Sequence, residues 1–171
     1  MNSNRSALDT VLGVDFGNVI IDHAAIDPND KELHEERYST IPVMSGAFEA
    51  LKELNARFKG RVYIVSKCTL WAQEKILAWL TDNDFYTKTG IDAKHVHFVR
   101  ERHEKDAVCR TLGVTHFIDD RLEVLSHMVE SVPHLFLFRP KPEEVEKFKQ
   151  FLQKVTIIDG WNRAVSVINS T

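Results

Sequence analysis

Short apolar runs alternate along the chain with stretches in which apolar residues recur every three or four positions. The short runs, bounded by turn-forming or charged residues, are too brief for ordinary helices and predict buried strands. The three- to four-residue repeats predict amphipathic helices, most clearly between Gly46 and Gly60. The predicted strands cover residues 11–15, 61–66, 96–99, 115–120 and 134–138.

Capping and breaking residues mark the ends of the predicted helices. Thr69 is suited to cap a helix, Gly113 to end one, and Pro142 to occupy a first helical turn. With the apolar repeats, these residues predict helices over 46–58, 69–82, 104–112 and 122–129, and one that begins at 142. Weaker patterns predict a short helix over 31–38 and a final strand and helix within 155–170.

The alternation of strands and helices predicts an α/β fold. Helical crossovers join parallel strands and cover both faces of the resulting sheet. No internal repeat, low-complexity tract or interdomain linker interrupts the pattern. The expected architecture is one three-layer, Rossmann-like domain that spans residues 1–171.

Composition and charge narrow the class of protein. The chain has 171 residues, a net charge of −3 and a hydrophobic fraction of 43%, so we expect an ordinary core and no general affinity for nucleic acid or membranes. No apolar run approaches the roughly 18 residues of a membrane span, and the first residues lack the apolar segment of a signal peptide. Cys68 and Cys109 are expected to be reduced thiols. The expectation is a cytoplasmic protein, with oligomerisation left open.

Polar residues follow the predicted strands in a pattern that indicates phosphate chemistry. The strand ends carry Asp15, Ser66 and the pair Asp119 and Asp120, while Lys105 opens the helix before the last of these strands. Parallel strands bring such ends to one edge of the sheet, where open α/β folds bind ligands. Carboxylates and phosphate oxygens suit Mg²⁺, lysine binds phosphate as a point charge, and aspartate can serve as a nucleophile.

These residues resemble the four motifs of the haloacid dehalogenase superfamily, and the resemblance covers most of the chain. Residues 15–19, Asp-Phe-Gly-Asn-Val, are similar to the first motif, in which an aspartate follows an apolar strand. Residues 62–66 resemble the second motif, an apolar strand that ends in serine or threonine, and Lys105 resembles the third. Residues 117–120 resemble the fourth, an apolar strand that ends in acidic residues. The last two motifs also suggest similarity to small deoxyribonucleotidase-like members.

The resemblance implies roles for the residues that match its motifs. Asp15 would be the nucleophile, which forms an aspartyl-phosphate that water later hydrolyses. Ser66, Lys105 and Asn18 would bind the phosphoryl oxygens. The implied ligands of a Mg²⁺ cofactor are the carboxylates of Asp15, Asp119 and Asp120 and the backbone carbonyl of Gly17.

Gly17 departs from the pattern of the superfamily. Its phosphatases usually carry a second aspartate two residues after the nucleophile, which protonates the leaving oxygen and then activates water. General acid–base help is typically worth roughly 10²–10⁴ in rate. Three interpretations stay open: the substrates have good leaving groups, Asp22 or His23 replaces the missing acid, or the site binds a phosphoryl ligand and barely turns it over.

Two function hypotheses therefore lead. The first is a Mg²⁺-dependent phosphomonoesterase that acts on a phosphorylated small molecule or on an exposed phosphate of a larger substrate. The second is a non-catalytic phosphoryl-binding or scaffold protein on the same fold. A receiver-like phosphoacceptor switch fits less well, because receivers carry their acidic pair after the first strand, whereas Asp119 and Asp120 come late.

The spacing between the motifs predicts that the site has no sizeable cap domain. Predicted helices and strands use most of the chain between residues 19 and 66 and between residues 66 and 105. Such a site would be open to solvent and to bulky substrates.

Some aromatic residues near the motifs are assigned structural roles. Trp71 and Trp79 are interpreted as core or interface residues rather than as platforms for stacking bases. His95 and His97 alternate along a strand without an evident third ligand, so they are interpreted as structural.

Overall fold

A parallel sheet of six strands lies at the centre of the computed structural model, which describes residues 9–25 and 38–171. The strands are β1 (Leu12–Val14), β2 (Val62–Lys67), β3 (Val96–Val99), β4 (His116–Asp119), β5 (His134–Phe138) and β6 (Thr156–Ile158). Their order across the sheet is β3-β2-β1-β4-β5-β6, and every pairing is parallel. The predicted Rossmann-like α/β fold is confirmed.

The helices of the described residues cover both faces of this sheet. They are α1 (Ala47–Arg57), α2 (Leu70–Asp82), α3 (Phe85–Thr89), α4 (Glu104–Leu112), α5 (Leu122–Ser126), α6 (Pro142–Lys147) and α7 (Trp161–Ile168). Helices α1, α2, α3 and α7 contribute to one hydrophobic core, and α4, α5 and α6 pack against a second. The fold therefore has three layers, because one core lies between each face of the sheet and the helices that cover it.

The helices differ from the sequence-based prediction in three places. Helix α5 ends at Ser126 instead of residue 129, because the chain then tightens into i→i+3 bonds, such as that from the Met128 amide to the Leu125 carbonyl. Helix α3 was not predicted; it follows Asp84, whose φ of 56° lies in the left-handed region. The predicted helix over 31–38 lies outside the described residues except for Tyr38, which begins a 3₁₀ turn.

Alternation along the strands separates the two cores. In β4, Ile118 belongs to the core under α1 and α2, whereas Phe117 belongs to the core under α4 and α5. In β5, Phe136 and Leu135 are divided in the same way. Side chains of successive strand residues point to opposite faces, so strands that carry consecutive buried apolar residues, as these do, must be covered on both sides.

The strand order creates a crevice beside β1. The chain passes from β1 to β2 and β3 in one direction, then returns to β4 on the other side of β1 and continues to β6. In open α/β sheets, ligands bind outside the carboxyl ends of the strands at the point where the order reverses. Here that point is the junction of β1 with β4.

Gly13 allows β1 and the neighbouring strand to pack closely at this junction. A Cβ at position 13 would lie 2.5 Å from Cδ2 of Phe117, which is closer than real Cβ atoms approach other atoms. The Phe117 ring in turn lies 5.7 Å from Nζ of Lys105. The absence of a side chain at Gly13 therefore lets an aromatic ring fit between β1 and the lysine of the third motif.

The described residues leave little room for a cap. Between Ser66 and Lys105 the chain consists of α2, α3, a 3₁₀ turn and β3, all of which belong to the sheet or its helical layers. Before Ser66, residues 26–37 lie outside the described part. Within the described ranges, no helix combines the length and apolar character needed to cross a membrane.

Candidate active site

The turn after β1 places Asp15 at the floor of a cleft. Its amide extends the sheet by donating to the carbonyl of Ile118 at 2.9 Å. Beyond it, Asn18 adopts a φ of 57°, a left-handed conformation that asparagine tolerates better than most residues. The indole of Trp161 then donates to the carbonyl of Val19 at 2.8 Å. The backbone that carries the nucleophile candidate is therefore held from both sides.

Lys105 joins the carboxylates of two separate strands. It lies in the first turn of α4 and is only 2% exposed. Its Nζ donates to Oδ1 of Asp15 at 2.7 Å and to Oδ2 of Asp119 at 2.8 Å. The other oxygen of Asp119 accepts from the amide of Arg121 at 2.9 Å. The residues of the first, third and fourth predicted motifs thus meet, as their positions at strand and helix ends indicated.

Asp120 completes a cluster of three carboxylates. It follows β4 directly, and its Oδ2 accepts from the side-chain amide of Asn18 at 3.4 Å. Asp15, Asp119 and Asp120 each offer one oxygen within 4.8 Å of the others. Asn18, which the sequence analysis assigned to phosphate binding, contacts a carboxylate of the predicted metal site in this structure.

Burial and repulsion between neighbouring carboxylates raise the pKa of Asp119 and of Asp120. Burial raises the pKa of Asp119, and the charge of Asp15 adds to the effect against the opposing charge of Lys105. Burial and the neighbouring charge of Asp119 raise the pKa of Asp120. Burial alone would lower the pKa of Lys105, but the two carboxylates that it contacts raise it. Lys105 is therefore protonated, and Asp119 and Asp120 retain protons more readily than ordinary carboxyl groups.

The composition and charge of the cluster fit a divalent cation. If all three carboxylates are ionised, the single ammonium of Lys105 leaves the cluster with a net charge of −2. Buried charges are costly unless they are paired or coordinate a metal. Mg²⁺ prefers oxygen ligands and is commonly bound through one or two carboxylates together with substrate phosphate. The three aspartates could therefore hold such an ion.

The cluster opens into a cleft of about 510 Å³. Ser66, near the carboxyl end of β2, is buried and lines it, as do Gly17 and Asn18. Two arginines that the sequence analysis did not assign to the site, Arg102 and Arg121, also line it. Both lie close in sequence to predicted site residues, and this closeness could have indicated that they belong to the site.

Aromatic residues form part of the wall of the cleft. Tyr38 and Trp71 meet edge to face with their ring centroids 6.3 Å apart, and both line the cleft. Of the two tryptophans interpreted as core or interface, Trp79 is fully buried in the core, whereas Trp71 is 45% exposed at the cleft and does not belong to the core. The first turn of α2 places Trp71 outside the core, a position that its residue type alone does not indicate.

His23 lies beside Gly17, whereas Asp22 turns away from the cleft. A Cβ built on Gly17 would lie 3.6 Å from Nε2 of His23, and His23 lines the cleft. The Asp22 carboxylate instead accepts from the amide of Ala24 at 3.1 Å and lies 3.9 Å from Nη1 of Arg139. Of the two candidates for the missing acid, the structure brings only His23 to the site.

Comparison with known proteins identifies the fold. No family model matches the chain, and no curated protein matches it. Among solved structures, a protein described as a haloacid dehalogenase-like hydrolase from Burkholderia xenovorans is similar, with a TM-score of 0.63 and 16% identity over 92% of this chain and 97% of that one. A D,D-heptose 1,7-bisphosphate phosphatase from Burkholderia thailandensis has a TM-score of 0.61 and 14% identity over 95% of this chain and 99% of that one.

The chain therefore has the fold of the haloacid dehalogenase-like hydrolases. Both neighbours are covered over nearly their whole length, so the likeness concerns the complete domain and not a shared substructure.

Proposed function

We propose that this protein is a Mg²⁺-dependent phosphomonoesterase that acts through an aspartyl-phosphate on Asp15. The observation that carries the proposal is the bridge from Lys105 to both Asp15 and Asp119, within a cluster of three carboxylates at the floor of an open cleft. A similar fold in proteins described as a hydrolase and as a phosphatase supports the assignment.

In the proposed reaction, a carboxylate oxygen of Asp15 attacks the phosphorus atom and the bond to the leaving oxygen breaks. Lys105 already lies 2.7 Å from Oδ1 of Asp15, so its ammonium can stabilise charge on the phosphoryl oxygens beside the nucleophile. Ser66 lines the same cleft and would donate its hydroxyl to the transferred group. Asn18 would contribute a side-chain amide from the adjacent turn. Water then attacks phosphorus, which releases phosphate and regenerates the Asp15 carboxylate.

The residues that would hold Mg²⁺ are Asp15, Asp119 and Asp120, together with the backbone carbonyl of Gly17. When bound, the ion would neutralise the excess negative charge of the site and polarise the phosphoryl oxygens. The substrate would be a phosphorylated small molecule or a phosphate exposed on a larger one, because the described residues leave the cleft open.

A second function, phosphoryl binding without turnover, is favoured by one observation. Gly17 stands where related phosphatases usually carry the general acid and has no side chain to transfer a proton. On this alternative, the protein would bind phosphate-containing ligands in the presence of Mg²⁺ but would not hydrolyse poor esters. Conversion of Gly17 to Asp would then create or raise phosphatase activity.

Hydrolysis of para-nitrophenyl phosphate in the presence and absence of Mg²⁺ tests the proposal. Its leaving group departs without protonation, so Gly17 does not limit the first step. We expect turnover that chelation removes and that Asp15→Asn lowers on the order of 10⁴-fold or more. Asp159→Asn, which changes an exposed carboxylate outside the cleft, is the matched control and should retain activity.

A panel of phosphomonoesters would then define the substrate class. Turnover that persists in Asp15→Asn would contradict the assignment of the nucleophile. Absence of turnover in the wild-type protein, together with Mg²⁺-dependent binding of phosphate, would favour the binding function.

A further inference from the structure

We propose that His23 performs the proton transfers that Gly17 cannot, and that it acts as general acid and then as general base. This inference rests on the proposed phosphomonoesterase function and deepens it. The observation behind it is the position of the His23 imidazole, which comes from the following turn and lies beside the place that a Cβ at position 17 would occupy.

The geometry at Gly17 identifies the imidazole. An ideal Cβ on Gly17 would have Nε2 and Cδ2 of His23 at 3.6 and 3.9 Å, and apart from its chain neighbours it meets nothing else within 4 Å among the described residues. These are ordinary van der Waals distances. The polar edge of the ring therefore adjoins the direction in which an aspartate would extend from position 17.

The backbone around His23 explains why its ring can reach this place. Ile21 forms a bridge with Gly17 and another with Val43, so the chain returns alongside the first motif. The short 3₁₀ turn His23–Ala25 follows immediately. The His23 ring then lies edge to face with Tyr38, with the ring centroids 6.3 Å apart. The position of the imidazole is thus defined by long-range contacts as well as by the local turn.

The proton transfers balance over the two steps. In the first, Asp15 attacks phosphorus while the imidazolium of His23 gives its proton to the departing oxygen, which leaves as an alcohol. In the second, neutral His23 takes a proton from water as the water oxygen attacks phosphorus and the bond to Asp15 breaks. Phosphate leaves, and Asp15 and His23 return to their starting forms. Histidine is the commonest residue in such transfers.

The role predicts a dependence on the leaving group, which His23→Gln tests. With an alkyl phosphate such as butyl phosphate, the leaving alkoxide requires a proton, so we expect the variant to lose roughly 10²–10⁴ in the rate of the first turnover. With para-nitrophenyl phosphate, no proton is required for departure, so the first turnover should proceed at close to the wild-type rate. Later turnovers should slow because the general base is missing, which gives a burst of one para-nitrophenol per site.

Restoring a carboxylate at position 17 provides a second test. The φ of Gly17 is not in the left-handed region, so a side chain is allowed there, but an aspartate would compete with the His23 ring for space. We expect the double variant Gly17→Asp with His23→Ala to recover most of the butyl phosphatase activity that His23→Ala loses. Gly17→Ala with His23→Ala, which adds the Cβ without the carboxylate, is the matched control and should recover none.

The outcomes separate the inference from the proposed function. Absence of wild-type turnover on para-nitrophenyl phosphate would overturn the phosphomonoesterase proposal and the role of His23 with it. If the wild-type protein turns over, equal losses on both esters in His23→Gln, without a burst, would overturn the role of His23 alone and assign the ring to structure. Unchanged butyl phosphatase activity in His23→Gln would overturn it as well. Thermal unfolding of each variant identifies losses that come from misfolding.

Discussion

The two ends of the sheet both bury polar side chains, but they do so in different ways. At the carboxyl ends of β1 and β4, three buried carboxyl groups, those of Asp15, Asp119 and Asp120, surround the single ammonium of Lys105. At the amino end of β4, the buried polar residues are Thr115 and His116. Both groups line clefts, but the second is held in a network of short hydrogen bonds.

The amino-end network satisfies its members without net charge. The ring nitrogens of His116 lie 2.7 Å from the hydroxyl of Thr115 and 2.8 Å from that of Thr171. The ring stacks on His134 with the centroids 4.4 Å apart. Burial, assisted by the charges of His134 and Arg57, lowers the pKa of His116 to about 3, so the imidazole is neutral at pH 7.

This difference distinguishes a structural polar network from a candidate active site. Buried polar groups are tolerated when each has a hydrogen-bond partner, and buried charges when they are paired or bind a metal. His116 meets the first condition. The carboxylate cluster meets the second only in part, since Lys105 supplies one positive charge for three aspartates. An excess of buried charge that faces a cleft is the feature that points to function.

The largest effect on stability is expected from Lys105→Met. The change leaves Asp15 and Asp119 buried without their shared cation, so unfolding in Mg²⁺-free buffer should become easier by about 3–5 kcal/mol. Urea denaturation measures this change. Lys149→Met is the matched control, because Lys149 forms an exposed pair with Glu146 that should contribute at most about 1 kcal/mol. Equal losses of stability in the two variants would contradict the claim that the buried charged cluster contributes more to stability than a surface ion pair.

A smaller effect is expected from Gly13→Ala, which disturbs the charged end through packing alone. The new methyl group would lie 2.5 Å from the Phe117 ring, and overpacking of this kind costs about 1–3 kcal/mol. The urea midpoint of the variant reports this loss. Gly160→Ala is the control, because Gly160 has an extended backbone and a Cβ there would meet nothing within 4 Å. If the Gly13→Ala protein is as stable as that control, the Phe117 ring can move aside without loss of stability, and the packing prediction is wrong.

A third effect is expected at the amino end of β4 and depends on pH. Folding lowers the pKa of His116 from about 6.5 to about 3. The unfolded state therefore binds the proton more tightly, and acid favours unfolding. The contribution of neutral His116 is complete above pH 6.5 and declines as the pH falls toward 3. His116→Gln, measured by urea denaturation between pH 7 and 4, should show a shallower loss of stability than the wild-type protein. Parallel profiles would contradict the neutral, buried state assigned to His116.

Much of the fold and of the carboxylate cluster could be predicted from local patterns. Strands β2 and β4 are built around short apolar runs that end in polar residues, and Thr69 caps α2 by accepting from the amide of Ala72 at 3.2 Å. Because the strands are parallel, the polar residues at their ends had to meet at one edge of the sheet. The meeting of Asp15, Lys105 and Asp119 followed from topology and from the resemblance, without any knowledge of side-chain contacts.

Features that depend on long-range packing could not be predicted in the same way. The sequence left both Asp22 and His23 as possible acids, since adjacent residues in a turn point in directions that only the folded chain defines. The sequence left Trp71 as a core or interface residue, because its exposure depends on which face of α2 meets the sheet. Gly13 gave no signal of its role, because the Phe117 ring that requires it lies on another strand.

Detection of a phosphoryl group on Asp15 tests the central claim most directly. The protein would be mixed with Mg²⁺ and para-nitrophenyl phosphate, quenched rapidly in acid, digested and analysed by mass spectrometry. The account predicts a phosphorylated peptide with the modification on Asp15, absent after chelation and absent in Asp15→Asn. Turnover with no phosphorylated peptide, or with the phosphoryl group on another residue, would contradict it.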